Sequence, residues 1–284
     1  MSSDAHFAGY TIVRLLGSGR ISHVYLAEHP RLPRPVALKI LAAEVSDDTE
    51  FRQRFAVEAD LAATLHHPHI VEVHDRGRYQ RQLWTSMDYV DGLNIGQLLR
   101  QRYPAGMPVL KVLKVVTAVA GALDYARDRG LLHRGVVPSN ILLATPHAGS
   151  RRILLSDFGL SRRLDDLSGP TATDVTIETL AYAAPEQFTG SSLKDRADQY
   201  ALAATTYHLL TGSPPFQYSS AAEVINHNAS AAPPRLGHLR PELGALEGAL
   251  SQALSKDPDE RFGSCSDFAD ALTADATAWR LRAN

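Results

Sequence analysis

The 284-residue chain has a single cysteine, Cys265, which excludes an internal disulfide and suits a reducing compartment. No charge of one sign dominates. Against 29 Lys and Arg stand 31 Asp and Glu, so no strongly basic face is implied and nucleic acid is a poor candidate partner. Long apolar runs are missing too. The two richest, Val112–Ala126 and Tyr200–Leu210, are interrupted by Lys114, Asp124 and His208 and fall short of the ~20 residues a membrane span needs. Met1–Phe7 lacks the cationic and apolar regions of a secretory leader. Internal repeats and low-complexity segments are absent. What remains is a globular chain, expected to be cytoplasmic, long enough for one large domain or two packed lobes.

The apolar pattern changes character near residue 90. Before it, Tyr10–Gly17, Val24–His29, Val36–Ile40, Ile70–Arg76 and Leu83–Tyr89 alternate as half-buried strands do. One helix interrupts them, over Asp48–Leu65, with Phe51, Phe55, Ala62 and Leu65 on a single stripe. Glu58 falls on that stripe, so its carboxylate points at the core. A buried carboxylate is costly unless a cation meets it, and Lys39 on the preceding strand is the expected partner. After Val90-Asp91-Gly92 the chain turns helical. Val109–Arg129 is amphipathic through Val112, Val116, Val119, Leu123 and Ala126, while Arg196–Leu210 is apolar nearly all round and predicts a buried helix. Further helices are predicted over Ala221–Asn228, Leu246–Leu254 and Ser266–Ala274, and Arg163–Ile177 reads as a polar loop.

Several short motifs lie on this frame. Gly17-Ser18-Gly19-Arg20-Ile21-Ser22-His23-Val24 follows a strand; alone it marks a hairpin, but its glycines would also let backbone amides approach phosphate oxygens. Val36-Ala37-Leu38-Lys39 places a lysine at the end of a strand. Met87-Asp88-Tyr89-Val90 precedes the change in character. Leu132-His133-Arg134-Gly135-Val136-Val137-Pro138-Ser139-Asn140 is followed by Asp157-Phe158-Gly159, then Ala184-Pro185-Glu186, with Asp198 opening the buried helix and Arg261 near the C-terminus. The run His66-His67-Pro68-His69 reads as a turn, since zinc would want other spacings and a thiolate.

Taken in order, these segments resemble the bacterial, eukaryotic-like serine/threonine protein kinases, over about Phe7 to Leu272. The resemblance implies an α+β, bilobal fold: a small antiparallel β-rich lobe with one helix (residues 1–90), a larger mainly helical lobe (91–272), and a short tail (273–284). It implies ATP with Mg²⁺ or Mn²⁺ as ligands. Gly17, Ser18, Gly19, Ser22 and Val24 would cover the phosphates, with Ser22 in place of the third glycine. Ala37, Met87, Asp88, Tyr89 and Val90 would surround adenine, and Lys39 with Glu58 would hold the α- and β-phosphates. Asn140 and Asp157 would bind the metal. Glu186 with Arg261, and Asp198 beneath the catalytic loop, would be structural pins, although a helix cap is the competing reading of Asp198. Arg134 pairs in relatives with a phosphorylated loop threonine, for which Thr171, Thr173 and Thr176 are candidates beside the reading of a plain solvated loop.

The departures cluster on the side of the incoming hydroxyl. Gly135 stands where the family has the carboxylate that takes the substrate proton, and Val137 where it has a lysine. Glu178 replaces the glycine before Thr179. The expectation is therefore a kinase homologue that binds ATP·Mg²⁺ but transfers phosphate poorly, signalling by conformation or docking to a protein partner. A slow but active serine/threonine kinase is the rival reading, and a nucleotide-free interaction module ranks last. A small-lobe homodimer is known in relatives, though no residue here argues for one. A membrane anchor beyond Asn284, as many bacterial relatives carry, stays open.

Overall fold

The computed structural model describes residues 5–19, 21–145, 152–158, 177–188 and 196–283. Strands β1 (His6–Phe7), β2 (Tyr10–Ser18), β3 (Ser22–Glu28), β4 (Pro35–Leu41), β5 (Val73–Tyr79) and β6 (Gln82–Asp88) form one antiparallel sheet in the order β1-β2-β3-β4-β6-β5. Helices α1 (Ala43–Ser46) and α2 (Thr49–Ala63) lie between β4 and β5. Alternation along β4 divides the lobe's interior. Val36, Leu38 and Ile40 pack with Phe7, Tyr10 and Trp84 on one face, whereas Ala37 and Leu41 join Phe51, Phe55 and Ala59 of α2 on the other. Lys39 shares the α2 side by the same period. Asp48 caps α2 by accepting from the Phe51 amide at 3.0 Å.

The strand expected over Ile70–Arg76 begins instead at Val73. Its apolar start belongs to the other lobe: Ile70 bridges Leu155, and the Val71 amide donates to the Leu155 carbonyl at 3.0 Å. The β5–β6 turn takes Gln80 and Arg81 with φ of 46° and 69°, the two left-handed residues that a tight hairpin uses.

The larger lobe opens with β7 (Gly92–Asn94), α3 (Ile95–Arg102) and α4 (Val109–Arg127). A second sheet, β7-β8-β9, pairs β7 with β8 (Ile141–Ala144) and β8 with β9 (Ile153–Leu155); β7 and β8 carried too little pattern to be read from the sequence, whereas Ile153–Leu155 reads as an apolar strand before Asp157. Then come α5 (Ile177–Leu180), α6 (Ala197–Thr211), α7 (Ala221–Ser230), α8 (Leu236–Leu239), α9 (Glu247–Ala253) and α10 (Cys265–Ala283). As the all-round apolar pattern predicts, α6 runs through the centre, with buried residues on every side. The last helix is longer than expected and continues through the boundary drawn at 272. Among the described residues, no helix is long and apolar enough to cross a membrane.

Candidate functional site

The two lobes meet where β4, α2 and the loops around β8 and β9 converge. Lys39 is there, but its partner is not the expected one. Its Nζ donates to Asp157 Oδ1 at 2.8 Å, and Glu58 Oε1 accepts from Arg134 Nη1 at 2.5 Å. The predicted Lys39–Glu58 pair is therefore corrected. Burial does demand a cation for Glu58, but it does not say which. Arg134 is turned toward α2 by a left-handed backbone (φ 59°), and Asp157, also left-handed (φ 69°), comes up beside Lys39. Non-glycine residues in that region cost about 1–3 kcal/mol each and persist only where their surroundings hold them.

Those surroundings are visible. Asp198 accepts from the backbone amides of His133 (2.6 Å) and Arg134 (2.7 Å). It is a tie to this loop rather than a helix cap, since the cap residue of α6 is Arg196. His133 is fully buried, and burial pushes its imidazole below the ordinary range. Its bonds agree with the neutral ring: Nδ1 accepts from the Gly135 amide at 3.1 Å, which leaves Nε2–H to donate to the Ser156 carbonyl at 2.8 Å. Phe158 meets the His133 ring edge-on, 4.6 Å between centroids. Thr205 of α6 donates to the Val136 carbonyl at 2.7 Å. Sequence reasoning missed Thr205, because a mid-helix threonine ordinarily bonds its own helix, as Thr206 does to the Leu202 carbonyl.

Asn140 and Asp157 arrive together because β8 and β9 pair antiparallel, Ile141 opposite Leu155, which brings the residues flanking the strands to one end. The Ser156 amide and hydroxyl both donate to the Asn140 carbonyl, at 2.9 and 3.1 Å. The Asn140 side-chain nitrogen is committed to the Gly135 carbonyl at 2.9 Å, so its amide oxygen turns the other way. A carboxylate and an amide oxygen on adjacent strand ends are donors that a hard cation such as Mg²⁺ accepts.

Above them, Ala37, Met87 and Leu154 belong to the cluster under α2, and Leu16, Val24, Val90 and Leu142 pack partly buried against it. Ala37 and Met87 are register partners on β4 and β6. These side chains form one apolar cluster between the β2–β3 hairpin, β4, β6 and β8. Leu16 and Leu142 were missed, since isolated leucines at strand ends carry no motif. The side chains of Asp88 and Tyr89 are engaged elsewhere, with His74 Nε2 at 2.9 Å and Arg14 Nη2 at 3.3 Å.

The β2–β3 hairpin tightens where the Gly19 amide donates to the Ser22 carbonyl at 2.8 Å. Packing within the chain does not require its glycines: a Cβ at Gly17 would meet nothing within 4 Å, and one at Gly19 only Ser22 at 3.6 Å. The hairpin backbone is thus open to close approach at both positions.

Glu186 and Arg261 form a buried two-pronged pair, Oε1–Nη1 2.7 Å and Oε2–Nη2 2.9 Å. Val137 lies 7 % exposed within the core of the larger lobe, apolar where a long cation was expected to project. Arg20, Gly159 and the candidate phosphosites Thr171, Thr173 and Thr176 lie outside the described residues, as does the side chain of Glu178.

Comparison with known proteins gives one consistent result. The model of the protein kinase domain matches residues 10–273. The serine/threonine-protein kinase PknF of Mycobacterium tuberculosis is 57 % identical over 272 residues, covering 96 % of this chain and 57 % of that protein. PknI of the same organism is 48 % identical over 276 residues, covering 97 % and 43 %. A crystal structure of the M. tuberculosis PknI kinase domain has a TM-score of 0.81 at 47 % identity, covering 97 % of this chain and 99 % of that one. The chain thus spans about half the length of the curated relatives it matches.

Proposed function

Because the chain belongs to the protein kinase family, as a homologue of bacterial serine/threonine kinases, we propose that it binds ATP with Mg²⁺ while being strongly impaired in passing the γ-phosphate to a hydroxyl. One contrast carries this reading. On the nucleotide side, Lys39 and Asp157 stand 2.8 Å apart with Asn140 beside them. On the hydroxyl side, Gly135 offers no carboxylate and Val137 no amine.

In this reading the slot between Ala37, Val24, Leu142 and Met87 takes adenine, the hairpin amides around Gly17, Ser18, Gly19 and Ser22 approach the phosphates, and Lys39 neutralises them. Asp157 and Asn140 hold Mg²⁺, which when bound neutralises charge on the β- and γ-phosphates. Phosphate oxygens in front of Lys39 compete with Asp157 for its ammonium, and the pairing of Glu58 with Arg134 is then open to exchange. Since Glu58 rides on α2, nucleotide occupancy is coupled to the position of that helix, and the protein signals by conformation or docking. The complete set Lys39, Glu58, Asn140 and Asp157 favours, as a second reading, a slow kinase acting on protein serine or threonine.

Thermal unfolding tests the nucleotide reading. Ligand at about a hundred times its Kd adds about 2.7 kcal/mol, which for a chain of this size raises Tm by roughly 5 °C or more. Lys39→Ala and Asp157→Ala are each expected to remove most of that shift. No shift with millimolar ATP·Mg²⁺ on the unaltered chain overturns the proposal.

A further inference from the structure

Between α2 and β5 the chain forms a joint of the two lobes. It consists of the turn His66-His67-Pro68-His69 and the Ile70-Val71 pair that follows, which binds the larger lobe. The Val71 amide donates to the Leu155 carbonyl at 3.0 Å, and the Leu155 amide to the His69 carbonyl at 2.8 Å. One side of the joint leads back along α2 to Glu58. The other leads along β9 to Asp157, two residues beyond Leu155. Among the described residues no group of three His, Cys, Asp or Glu is placed to hold a metal ion.

Each imidazole of the turn has its own partner. His67 Nδ1 accepts from the His69 amide at 3.2 Å, a bond that only an unprotonated Nδ1 makes. His69 Nδ1 lies 2.8 Å from the Ile153 carbonyl, where it must donate, and the neutral and charged rings do so alike. His66 is exposed, with Nδ1 3.3 Å from Glu72 Oε1, while its amide donates to the Tyr125 hydroxyl at 3.3 Å. Of these bonds, protonation breaks only the one that His67 accepts.

The surroundings of His67 oppose a charge there. From α4, the Tyr125 ring stands 5.1 Å away and carries the Arg129 guanidinium 3.6 Å from its centroid. The imidazole edge comes within 3.9 Å of where a Gly121 side chain would begin. From its own turn, the His69 ring lies 5.6 Å away. Arg152, just before β9, shares with it a cavity of about 300 Å³. The carboxylates of that cavity, Glu72 and Asp88, are each engaged by another imidazole, those of His66 and His74. Burial pushes the His67 imidazole below the ordinary range, and His69 and Arg129 push the same way. Neutral His67 therefore supports the turn fully above about pH 6.5, and the support is lost as the pH falls below that. The cavity gives protons access and gives the ring room to turn away.

We propose that His67 is a proton-sensitive catch between the lobes, whose charging frees the turn from α4 and uncouples α2, with Glu58, from the strand that leads to Asp157. The release stands on the joint alone; its effect on nucleotide rests on the reading above.

NMR of the intact chain between about pH 7.5 and about pH 5 tests the catch. At the upper pH the His67 ring is expected with Nδ1 unprotonated. The His69, Val71 and Leu155 amides should then move together in one titration with its midpoint below about 6.5. In His67→Asn the side-chain oxygen accepts from the same amide without titrating, so that titration should vanish while any movement due to His66 or His69 persists. Calorimetry with ATP·Mg²⁺ follows on the same samples. The loss of affinity on acidification should be roughly three- to tenfold greater in the unaltered chain than in His67→Asn, the factor carried by about one net hydrogen bond. A proton on His67 Nδ1 at the upper pH, read without any variant, overturns the proposal. So do amides that stay fixed, or that titrate alike in His67→Asn. Titrating amides with equal losses of affinity overturn the link to nucleotide. No binding at the upper pH defeats the nucleotide reading instead, and the amides then decide the catch by themselves.

Discussion

Replacing Gly135 by Asp together with Val137 by Lys is expected to raise phosphoryl transfer about 100- to 1000-fold. A positioned general base supplies roughly 10²–10⁴ and one charge donor at the transition state roughly 10²–10³; groups acting as a unit do not multiply, so the joint gain is set near that of a single group, roughly 10²–10³. The structure favours success because the frame is in place. The loop backbone is held by Asp198 at His133 and Arg134, by Thr205 at Val136, and by Asn140 at the Gly135 carbonyl. Gly135 itself is outside the left-handed region that Gly9, Gly106, Gly130 and Gly212 occupy, so an aspartate fits its backbone. Position 137 is harder. Its side chain starts in the core but borders a groove between α3 and the segment after α6, so a lysine must run its methylenes along apolar side chains there and carry its ammonium outward. Gly135→Asp alone should therefore give most of the gain. Radiolabel transfer to a mixed serine/threonine peptide pool measures it, with Asp157→Ala on the repaired background as the blank. No gain in either variant would place the block elsewhere than in this loop.

Removing the buried pin has the largest effect expected on stability. The Arg261 side chain is 0 % exposed and Glu186 8 %. Beyond the two bonds to Glu186, the guanidinium donates to the carbonyls of Ser255 (2.9 Å) and Arg196 (3.0 Å) and lies over the Tyr200 ring at 4.9 Å. It thus joins the turn after Ala184-Pro185 to the start of α6 and to the segment before α10. Arg261→Ala strips a buried carboxylate of its guanidinium, a change that costs about 3–5 kcal/mol. That is a large share of the ~5–15 kcal/mol by which a domain is stable. Arg261→Lys should recover only part, because an ammonium cannot reproduce the planar fork. Glu186→Leu with Arg261→Met, which removes both charges, should be much milder than Arg261→Ala alone. Urea unfolding measures all three, and a double variant as unstable as Arg261→Ala would show that packing, not the stranded charge, sets the cost.

Patterns with a long period were legible in the sequence, and choices between nearby partners were not. The all-round apolar run at Arg196–Leu210 announced a buried helix, and α6 is one. The stripe of α2 announced that Glu58 points inward, and it does, with its side chain 16 % exposed. Which cation meets it depends on two left-handed residues, Arg134 and Asp157, and a linear pattern does not encode a backbone angle. The start of β5 was misplaced because Ile70 and Val71 are apolar for the sake of β9 rather than of their own sheet. Met87, Ala37 and Val24 were singled out through their motifs, while Leu16 and Leu142, which pack in the same cluster, and Thr205, which holds the Val136 carbonyl, are placed by tertiary position alone. Val137 was visible as a missing lysine; its part in an apolar groove needed α3 and the segment after α6 brought beside it.

The most direct measurement is phosphoryl transfer by the unaltered chain at a nucleotide concentration shown by calorimetry, on the same sample, to saturate it. The account predicts measurable binding of ATP·Mg²⁺ together with turnover at least about a hundredfold below the ~1–100 per second of ordinary protein kinases. Saturable binding with turnover inside that ordinary range would contradict it.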